Sequence, residues 1–552
     1  KMPAEKKILR LAVIGFGPRG LGAIEALATK PELAEFHLHI DIFDPFEWLG
    51  AGPNFDPDQS EECILNIPVR SLDIDPPDVI SSDIQPFSVW SANRYQPDDF
   101  PPRSDLGAYL NARFEALRDV MAGRFDVTHH RSFVTNLKKS GDGWFLFADK
   151  TEFGPFSEVL LTQGQPQTAP DEQLQRWKDH ANTHNLELEN AYPANALLNA
   201  AQGWSDKTVA IRGMGLSTFD VVRLITKGLG GTFVDGEYQA SGKEPRAILP
   251  FSLTGLPPAA KPATQEIDEL FDPTDQESRT FSDALDRATA KSPKEAVQTI
   301  CNALIAPILR ISSACSNSKS SDDVRHWLGI ERDNPGAQDT RATIEALKTD
   351  IDMAHGRTPP SMGYIIGQIW RKWQNAIRHG FNPATLQPDT ASAIIAFDEG
   401  LKRFSYGPPV SASEEMLILI KQGLVRVNVV DDPDILLENN GWRLTDTDDA
   451  LSASVMIDAV LPSPDLENIT DALVSSCVSN GQMHAFADGL GALIAASGEL
   501  NGAGNDGLCM LGRLTLGSVI AVDSLHDCFG ESTNRWADGV IARTLGAELK
   551  RH

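Results

Sequence analysis

The chain has 552 residues, with 49 Lys and Arg against 76 Asp and Glu, which gives a formal net charge of −27. Its length predicts two or three domains, and its 41% hydrophobic and 23% charged residues are typical of a globular protein. Because such an acidic surface repels phosphate backbones and anionic lipid, we expect neither nucleic acid nor a membrane as a partner.

The six cysteines are scattered along the chain, and none of them forms a C-x-x-C or C-x-x-x-x-C pair. The sequence therefore predicts neither a metal cage nor a redox disulfide. Isolated cysteines suit a reducing compartment, so we expect a cytoplasmic protein. No apolar run reaches the length that a membrane span needs. The apolar start of the chain leads directly into a glycine motif without a cleavage site.

The first part of the chain predicts a β–α–β unit, a loop-rich region and a hairpin. Residues 50–105 are rich in Pro, Asp and Gly, which favours extended loops over regular elements. The predicted elements are, in order, strand Leu9–Gly15, helix Leu21–Thr29, strand His37–Phe43, helix Leu106–Met121, hairpin strands Val127–Thr135 and Trp144–Ala148, and strand Glu158–Thr162.

The rest of the chain predicts a second β–α unit, a linker, a helical region and a return to strands. The predicted segments are, in order, a β–α unit from Thr208, a linker or long surface loop at 250–280, helices over Ser282–Phe381 with a Ser-rich interruption at 312–321, and strands over Met416–Leu461. The chain ends with an apolar strand, a glycine turn and a helix.

The segment VIGFGPRG carries a dinucleotide-binding fingerprint between a predicted strand and a predicted helix. Gly15 permits a tight turn, Gly17 lets a pyrophosphate approach the backbone, and Gly20 lets the helix pack closely on the sheet. The helix N-terminus, with Pro18 in its first turn, offers free N–H groups to the phosphate. Asp44 ends the second strand near the position of a ribose-binding carboxylate, and strand alternation favours it over Asp41.

A second, degraded fingerprint lies in the segment TVAIRGMGLSTFDVVRLIT. Gly213 and Gly215 follow an apolar strand, Ser217 opens the helix, and Thr218 occupies the third glycine position. A small residue at that position predicts a turn that holds a cofactor more loosely. Two nucleotide sites in one chain suggest a tightly held flavin and a transient nicotinamide.

The chain resembles the bacterial FAD/NAD(P)-binding proteins related to two-dinucleotide flavoprotein N-hydroxylating monooxygenases, which include enzymes that oxidise aspartate to nitrosuccinate. The segments that carry the resemblance are VIGFGPRGLGAIEAL, LGAGPNFDPDQSEECILNIP, VLLTQGQP, AIRGMGLSTFDVVRLIT, YQASGKEPRAILPFSLTGLPP and LCMLGRLTLGSVIAVDSL. Where the family usually has Ala-Thr-Gly, this chain has Thr162-Gln163-Gly164. The resemblance implies FAD at the first fingerprint, beside Gly164, with the last strand and its turn near Gly512 completing that domain.

The fold class that we predict is α/β, with a Rossmann-type FAD-binding domain that is split by an NAD(P)-binding β–α region and a mostly helical region. The expected divisions are 1–165 for the first part of the FAD domain, 196–260 for the NAD(P) region, 261–410 for the helical insertion, and 411–552 for the return to both nucleotide domains.

Several polar residues are candidates for the substrate side of the site. The resemblance places Asn66 beside the flavin, although an Asn before Pro68 also suits a turn. Arg70 and Arg103 are candidates for a bidentate contact with a substrate carboxylate, although solvated surface arginines are commoner.

The coenzyme preference stays open at the sequence level. Lys243 and Arg246 could bind the 2′-phosphate of NADP, whereas Asp235 could bind the ribose of NAD. The helical cluster of Trp370, Trp373 and Arg378 predicts packing rather than a cofactor stack.

The resemblance implies an NADPH- or NADH-dependent flavin monooxygenase that N-hydroxylates a small polar amine or amino acid through a C4a-hydroperoxyflavin. The expected partners are a small-molecule substrate and dioxygen. A disulfide reductase and a non-enzymatic redox-sensing flavoprotein are the alternatives, and the missing cysteine pair counts against the first.

Overall fold

The computed structural model describes residues 6–141, 143–502 and 504–549 of the chain, with side chains up to residue 547. Within these ranges the fold is mixed α/β, as predicted. The strands are β1 Lys7–Ile14, β2 Phe36–Phe43, β3 Phe125–His130, β4 Val134–Ser140, β5 Gly143–Ala148, β6 Thr151–Phe156, β7 Glu158–Leu161, β8 Glu187–Asn190, β9 Thr208–Arg212, β10 Thr232–Val234, β11 Glu237–Gln239, β12 Ala247–Phe251, β13 Asp434–Glu438, β14 Gly441–Thr445, β15 Ala450–Ala453, β16 Val455–Asp458 and β17 Leu508–Met510.

The helices are concentrated in the middle of the chain, between two regions that are rich in strands. They are α1 Pro18–Ala28, α2 Phe87–Trp90, α3 Arg103–Val120, α4 Glu172–His184, α5 Ala194–Ala201, α6 Leu216–Leu224, α7 Gln265–Glu269, α8 Asp275–Ala288, α9 Pro293–Ala314, α10 Ser321–Asp333, α11 Thr343–Ala354, α12 Met362–Lys372, α13 Gln374–Phe381, α14 Pro388–Ser405, α15 Val410–Lys421, α16 Ala472–Ser479 and α17 Glu531–Leu549.

The first sheet has the strand order β17-β7-β1-β2-β3, and every neighbouring pair in it is parallel. The last four residues of β1 are buried, which explains why its sequence is continuously apolar. β17 comes from the far end of the chain and pairs with β7. The first sheet thus includes a strand from the C-terminal part of the chain, and the completion of an FAD domain by these residues stays a prediction.

The second sheet has the order β12-β9-β16-β8 and is also parallel throughout. β16 enters this sheet after the whole helical region, so this sheet too is assembled from distant parts of the chain. In open parallel sheets, ligands bind beyond the carboxyl ends of the strands. Those ends carry the two glycine turns.

The hairpin prediction is wrong in one part. Phe125–His130 is not a hairpin strand but the parallel edge strand β3 of the first sheet. The actual antiparallel sheet has the order β4-β5-β6. The segment Val127–Thr135 spans the end of β3 and the start of β4, and the chain leaves the first sheet at residues 131–133.

Two further predictions need correction. Residues 250–280 are not a surface linker, because Leu256, Ala259 and Ala260 are buried and α7 and α8 begin within the segment. Met416 lies in α15 rather than in a strand, so the return to strands starts at β13. Neither segment shows a clean period: one is rich in Pro and Ala, and the other has only a short apolar run.

The helical region over α8–α14 packs into a hydrophobic cluster that it shares with residues of the first sheet, such as Ile14 and Leu161. Phe281 stacks on Trp373 with ring centroids 4.2 Å apart, and Trp370 donates its indole N–H to Asp398. The prediction that Trp370 and Trp373 serve packing is therefore confirmed. Among the described residues, α9 has the length and hydropathy of a membrane span, contrary to our expectation, and 67% of its most apolar stretch is buried inside the protein.

Candidate functional site

The carboxyl ends of β1 and β9 open into one large cleft with a volume of about 2570 Å³. The walls include Gly17 of the first glycine turn, Gly215 of the second, and side chains from the helical region such as Arg378. A single cleft that joins two parallel sheets places two dinucleotides within reach of one another.

The first glycine turn leaves no room for side chains. Gly15 has φ +79°, and a Cβ there would lie 2.7 Å from Cα of Gln163. A Cβ on Gly20 would lie 2.8 Å from the ring of Phe16, which gives the close helix–strand packing expected of the third glycine. Thr162 donates its hydroxyl to the Gly15 carbonyl at 2.5 Å. The Gly15 turn is therefore held against the Thr162–Gln163 segment by close packing and by a hydrogen bond.

The floor of the turn fits a pyrophosphate group. α1 begins at Pro18 after Gly17 as its N-cap, and that cap makes no side-chain hydrogen bond, so the first N–H groups of the helix face the cleft. A Cβ on Gly17 would lie 3.5 Å from Cα of Gly52, and Gly52 itself has φ +70°. Two facing glycines keep this floor free of side chains. Sequence reasoning did not single out Gly52, although it lies in the segment LGAGPNF.

Asp44 lies in the cleft wall, whereas Asp41 does not, and Asp41 pairs with His130 at 2.8 Å. The Asp44 carboxylate accepts hydrogen bonds from the backbone N–H groups of Phe16 at 2.7 Å and Phe46 at 2.9 Å. Burial raises the pKa of Asp44, and the two backbone donors oppose that shift. Asp44 thus orders the glycine turn and also forms part of the cleft wall beside it.

Gly164 and Gly512 differ in their positions. Gly164 has φ +72°, lines the cleft and has open space where a Cβ would stand. Gly512 is not part of the cleft wall, because it packs against the side chain of Arg19. Arg19 in turn pairs with Asp527 at 2.9 Å, which fastens the first glycine turn to the C-terminal segment. The next residue, Arg513, is the one that reaches the cleft.

The second glycine turn is more open than the first. Gly213 has φ +127°, and the Thr218 hydroxyl donates to its carbonyl at 2.7 Å. The residue in the third glycine position therefore stabilises the turn. Gly215 caps α6 and has nothing within 4 Å of a Cβ, and Ser217 lines the cleft in the first turn of the helix. This turn leaves space for a second dinucleotide phosphate.

The predicted coenzyme-reading residues lie away from this turn. Lys243 and Arg246 precede β12, so they lie at the amino end of that strand, whereas the cleft lies at its carboxyl end. A five-residue strand separates the two ends by roughly 17 Å. Asp235 occupies the tight β10–β11 turn with φ +52°. This geometry is against a coenzyme contact by Lys243, Arg246 or Asp235. The residues that follow the carboxyl end of β12 and line the cleft are Ser252–Thr254.

Of the predicted substrate-side residues, Asn66 lines the cleft and Arg70 does not. Arg70 binds Asp98 at 2.7 Å and Asp268 at 2.7 Å. Its guanidinium is thus committed to two carboxylates outside the cleft wall, which is against the predicted contact with substrate. The Asn66 carbonyl accepts a hydrogen bond from the Lys261 ammonium group.

Arg103 lies in the cleft wall but is buried and already paired. Its guanidinium, at the start of α3, bonds the Asp220 carboxylate of α6, which also accepts the Tyr192 hydroxyl. Burial opposes the charge of Arg103, but Asp220 and Tyr192 together with Cys63 outweigh burial and raise the pKa of Arg103. Arg103 therefore joins the first glycine-turn region to the second, and a substrate carboxylate would have to compete with Asp220.

The helical region adds cations to the cleft that the sequence reasoning missed. They come from the segment after β12 and from α12–α14, and they are Lys261, Arg371, Lys372, Lys402 and Arg403, together with Arg378. Their grouping contrasts with the formal net charge of −27 for the whole chain. No sequence pattern marks them as a group, because the positions are separated by up to 142 residues along the chain and meet only in the fold.

Two parallel sheets whose glycine turns open into one cleft define a protein that binds two dinucleotides. FAD and NAD(P) are the cofactors that suit such a pair of sites. Residues 12–166 match a protein-family model described as FAD-NAD(P)-binding. That match covers the first sheet up to β7 and the first glycine turn. The predicted cofactor class is therefore confirmed.

The chain is similar to several known proteins. A nitrosuccinic acid synthase of Aspergillus oryzae is 25% identical over 543 residues, which cover 86% of this chain and 81% of that protein. An L-aspartate N-monooxygenase (nitrosuccinate-forming) of Streptomyces davaonensis is 29% identical over 297 residues, or 46% of this chain and 44% of that protein. The solved ornithine N-hydroxylase of Kutzneria sp. aligns with a TM-score of 0.49 at 12% identity, over 97% of this chain and 99% of that one. The resemblance stated from the sequence is confirmed.

Proposed function

We propose that this protein is an FAD- and NAD(P)H-dependent monooxygenase that N-hydroxylates a small amino acid, with the oxidation of aspartate to nitrosuccinate as the first candidate reaction. The observation that carries the proposal is the single cleft onto which both glycine turns open. Similarity to nitrosuccinate-forming enzymes over most of the chain supports the choice of substrate.

The first glycine turn is the proposed FAD site. The N-terminus of α1 and the facing pair Gly17 and Gly52 would hold the pyrophosphate, and Asp44 would approach the ribose. Gly164 and Asn66 would line the flavin side of the cleft. Bound FAD would supply reduction by NAD(P)H and activation of dioxygen, which the side chains of a protein cannot provide.

The second glycine turn is the proposed NAD(P)H site. Gly213, Gly215 and Ser217 would receive the cofactor phosphates at the N-terminus of α6. The open space at Gly215 suits a cofactor that binds and leaves in each catalytic cycle. The remaining task of the protein is to hold the substrate amine beside the flavin and to exclude water, so no catalytic triad is required.

A disulfide reductase would need a redox-active cysteine pair beside the flavin. All six cysteines are free, and burial raises the pKa of Cys63, Cys301 and Cys477 to about 12, which keeps these thiols protonated. These thiols are unsuited to thiolate chemistry, which favours the monooxygenase over the reductase.

The proposal is tested with the purified FAD-loaded protein and a panel of amino acids. We expect L-aspartate to stimulate NADPH oxidation and oxygen consumption together and to give a product of the mass of nitrosuccinate. Succinate, which has the two carboxylates but no amine, is the matched control and should give no product. If no amino acid in the panel yields an N-oxidised product while the flavin is still reduced, the proposed reaction is wrong.

A further inference from the structure

Lys261 is a half-buried cation whose hydrogen-bond partners are all neutral. It lies between β12 and α7, in a segment where Leu256, Ala259 and Ala260 are buried. Its ammonium group donates to the Asn66 carbonyl and, at 3.0 Å, to the Gly407 carbonyl, and the Lys261 side chain forms part of the cleft wall. An ammonium group has three N–H donors, so one donor remains for a ligand in the cleft.

The neighbouring cations each have a carboxylate partner, but Lys261 does not. Arg371 bonds Asp268, and Lys372 lies 2.5 Å from Asp272 and 3.4 Å from Asp268. For Lys261, no ion pair within 4.0 Å occurs among the residues that the structure describes. Even a half-buried cation loses part of its hydration, and without a counter-ion this loss is not compensated; a ligand anion would compensate it.

The surroundings of Lys261 explain why its pKa is lowered. Burial lowers the pKa of Lys261 to about 7; the positive charge of Arg371 adds to that shift, and the negative charge of Asp268 opposes it. The Tyr406 ring is a further neighbour, with its centroid 5.7 Å from the ammonium group. The charged groups that face Lys261 thus leave it without the anion that would hold its proton.

We propose that Lys261 binds a carboxylate of the substrate, which supplies the missing counter-ion. The inference rests on the proposed function and deepens it by naming the residue that holds a carboxylate of the substrate amino acid. The position next to Asn66 places this anchor at the flavin side of the cleft. An amine that lacks a carboxylate leaves the Lys261 charge uncompensated and binds weakly.

The proposal carries a definite pH dependence. Below pH 7 the ammonium group is already charged, so the anion binds without proton exchange. Above pH 7 the free amine must take up a proton when the anion binds, because the carboxylate favours the charged form. The Kd for the carboxylate ligand should therefore rise with pH above about 7, toward tenfold per pH unit.

The test uses the FAD-loaded protein and calorimetric titration with L-aspartate, with ethanolamine as the amine without a carboxylate. Lys261→Met should weaken L-aspartate binding about tenfold or more and abolish the pH dependence, since a charge-assisted contact is lost. Lys261→Arg should keep the charge and restore binding in part, with no rise in Kd between pH 7 and pH 8.5. The exposed Lys348→Met is the matched control. The FAD content of each variant reports whether it folds, and Lys348→Met should keep both its flavin reduction by NADPH and its L-aspartate binding.

Two results would overturn the proposal. One is L-aspartate binding to Lys261→Met as tightly as to the parent protein. The other is binding to the parent at pH 8 without proton uptake, measured in buffers of different ionisation enthalpy; this readout remains if Lys261→Met does not fold. Binding that requires Lys261, without any N-oxidised product, would support the anion site and reject the proposed reaction.

Discussion

At the scale of single residues, the first glycine turn depends on glycines at positions where a side chain would occupy the phosphate site or contact the neighbouring backbone. The turn has room for a phosphate only because Gly17 and Gly52 face each other without side chains. We predict that Gly17→Leu yields folded but colourless protein, because the leucine side chain fills the pyrophosphate position. The FAD content per chain, from absorbance at 450 nm, measures the loss. Gly123→Leu, at an exposed glycine with open space around it, is the control and should stay yellow.

Gly215 offers the complementary experiment, because nothing lies within 4 Å of a Cβ at this position. The fold therefore accepts a side chain there, while a dinucleotide phosphate at the start of α6 does not. We predict that Gly215→Leu keeps its FAD but is reduced by NADPH at least tenfold more slowly in stopped-flow measurements. Loss of FAD from Gly215→Leu, with normal reduction of the flavin that remains, would mean that the two sites are assigned the wrong way round.

At the scale of elements, a buried ion pair sets the position of α1 against α3. Arg113 of α3 makes two parallel hydrogen bonds of 2.7 Å to the Glu25 carboxylate of α1, and both side chains are buried. Burial raises the pKa of Glu25, and Arg113 opposes that shift. We predict that Glu25→Ala lowers the free energy of unfolding by about 3–5 kcal/mol, because the Arg113 charge is left buried without its partner.

Chemical denaturation of the FAD-loaded protein, followed by far-UV circular dichroism, measures this change. The exposed Glu32→Ala, just beyond the end of α1, is the control and should change the stability by less than about 0.5 kcal/mol. Equal stability of the Glu25→Ala variant and the parent would show that the pair does not hold α1 in place.

Elements whose signal is local could be predicted from the sequence. The two glycine turns follow apolar strands and begin helices, so their spacing alone places Gly15, Gly17, Gly213 and Gly215. The strand predicted over Val127–Thr135 was misplaced because its local sequence does not specify which sheet a strand joins. Pairing between distant segments decides this, and no short-range pattern reports it.

Lys261 could not be predicted as a site residue for the same reason, because its contacts join distant segments of the chain. Lys261 lies alone in the segment LPPAAKPA, which has neither helical nor strand periodicity. The contacts of Lys261 with Asn66 and Gly407 join positions 195 and 146 residues away along the chain. A single lysine among Pro and Ala, in a segment too apolar for a solvated loop, was the available signal.

At the scale of the whole molecule, the fold brings the charged side chains of the helical region to the cleft. The surface as a whole is acidic, with a formal net charge of −27, yet Lys261 and Arg378 lie in the cleft wall. Distant surface carboxylates are screened beyond roughly 8 Å at physiological salt, so these local cations can govern the binding of an anionic substrate. Arg103 and Asp220 connect the parts of the chain that carry the two glycine turns.

The proposed function requires that in each of successive turnovers one oxygen atom of dioxygen is transferred to the nitrogen of an amino acid within this cleft. The most direct measurement is the mass of the product formed by the FAD-loaded protein with NADPH and L-aspartate under labelled dioxygen, ¹⁸O₂. If the protein is this monooxygenase, we expect an N-oxidised product that carries the ¹⁸O label. With ¹⁶O₂ and labelled water, we expect an unlabelled product. An unlabelled product under ¹⁸O₂, or hydrogen peroxide as the sole oxygen product with aspartate unchanged, would contradict the proposed function.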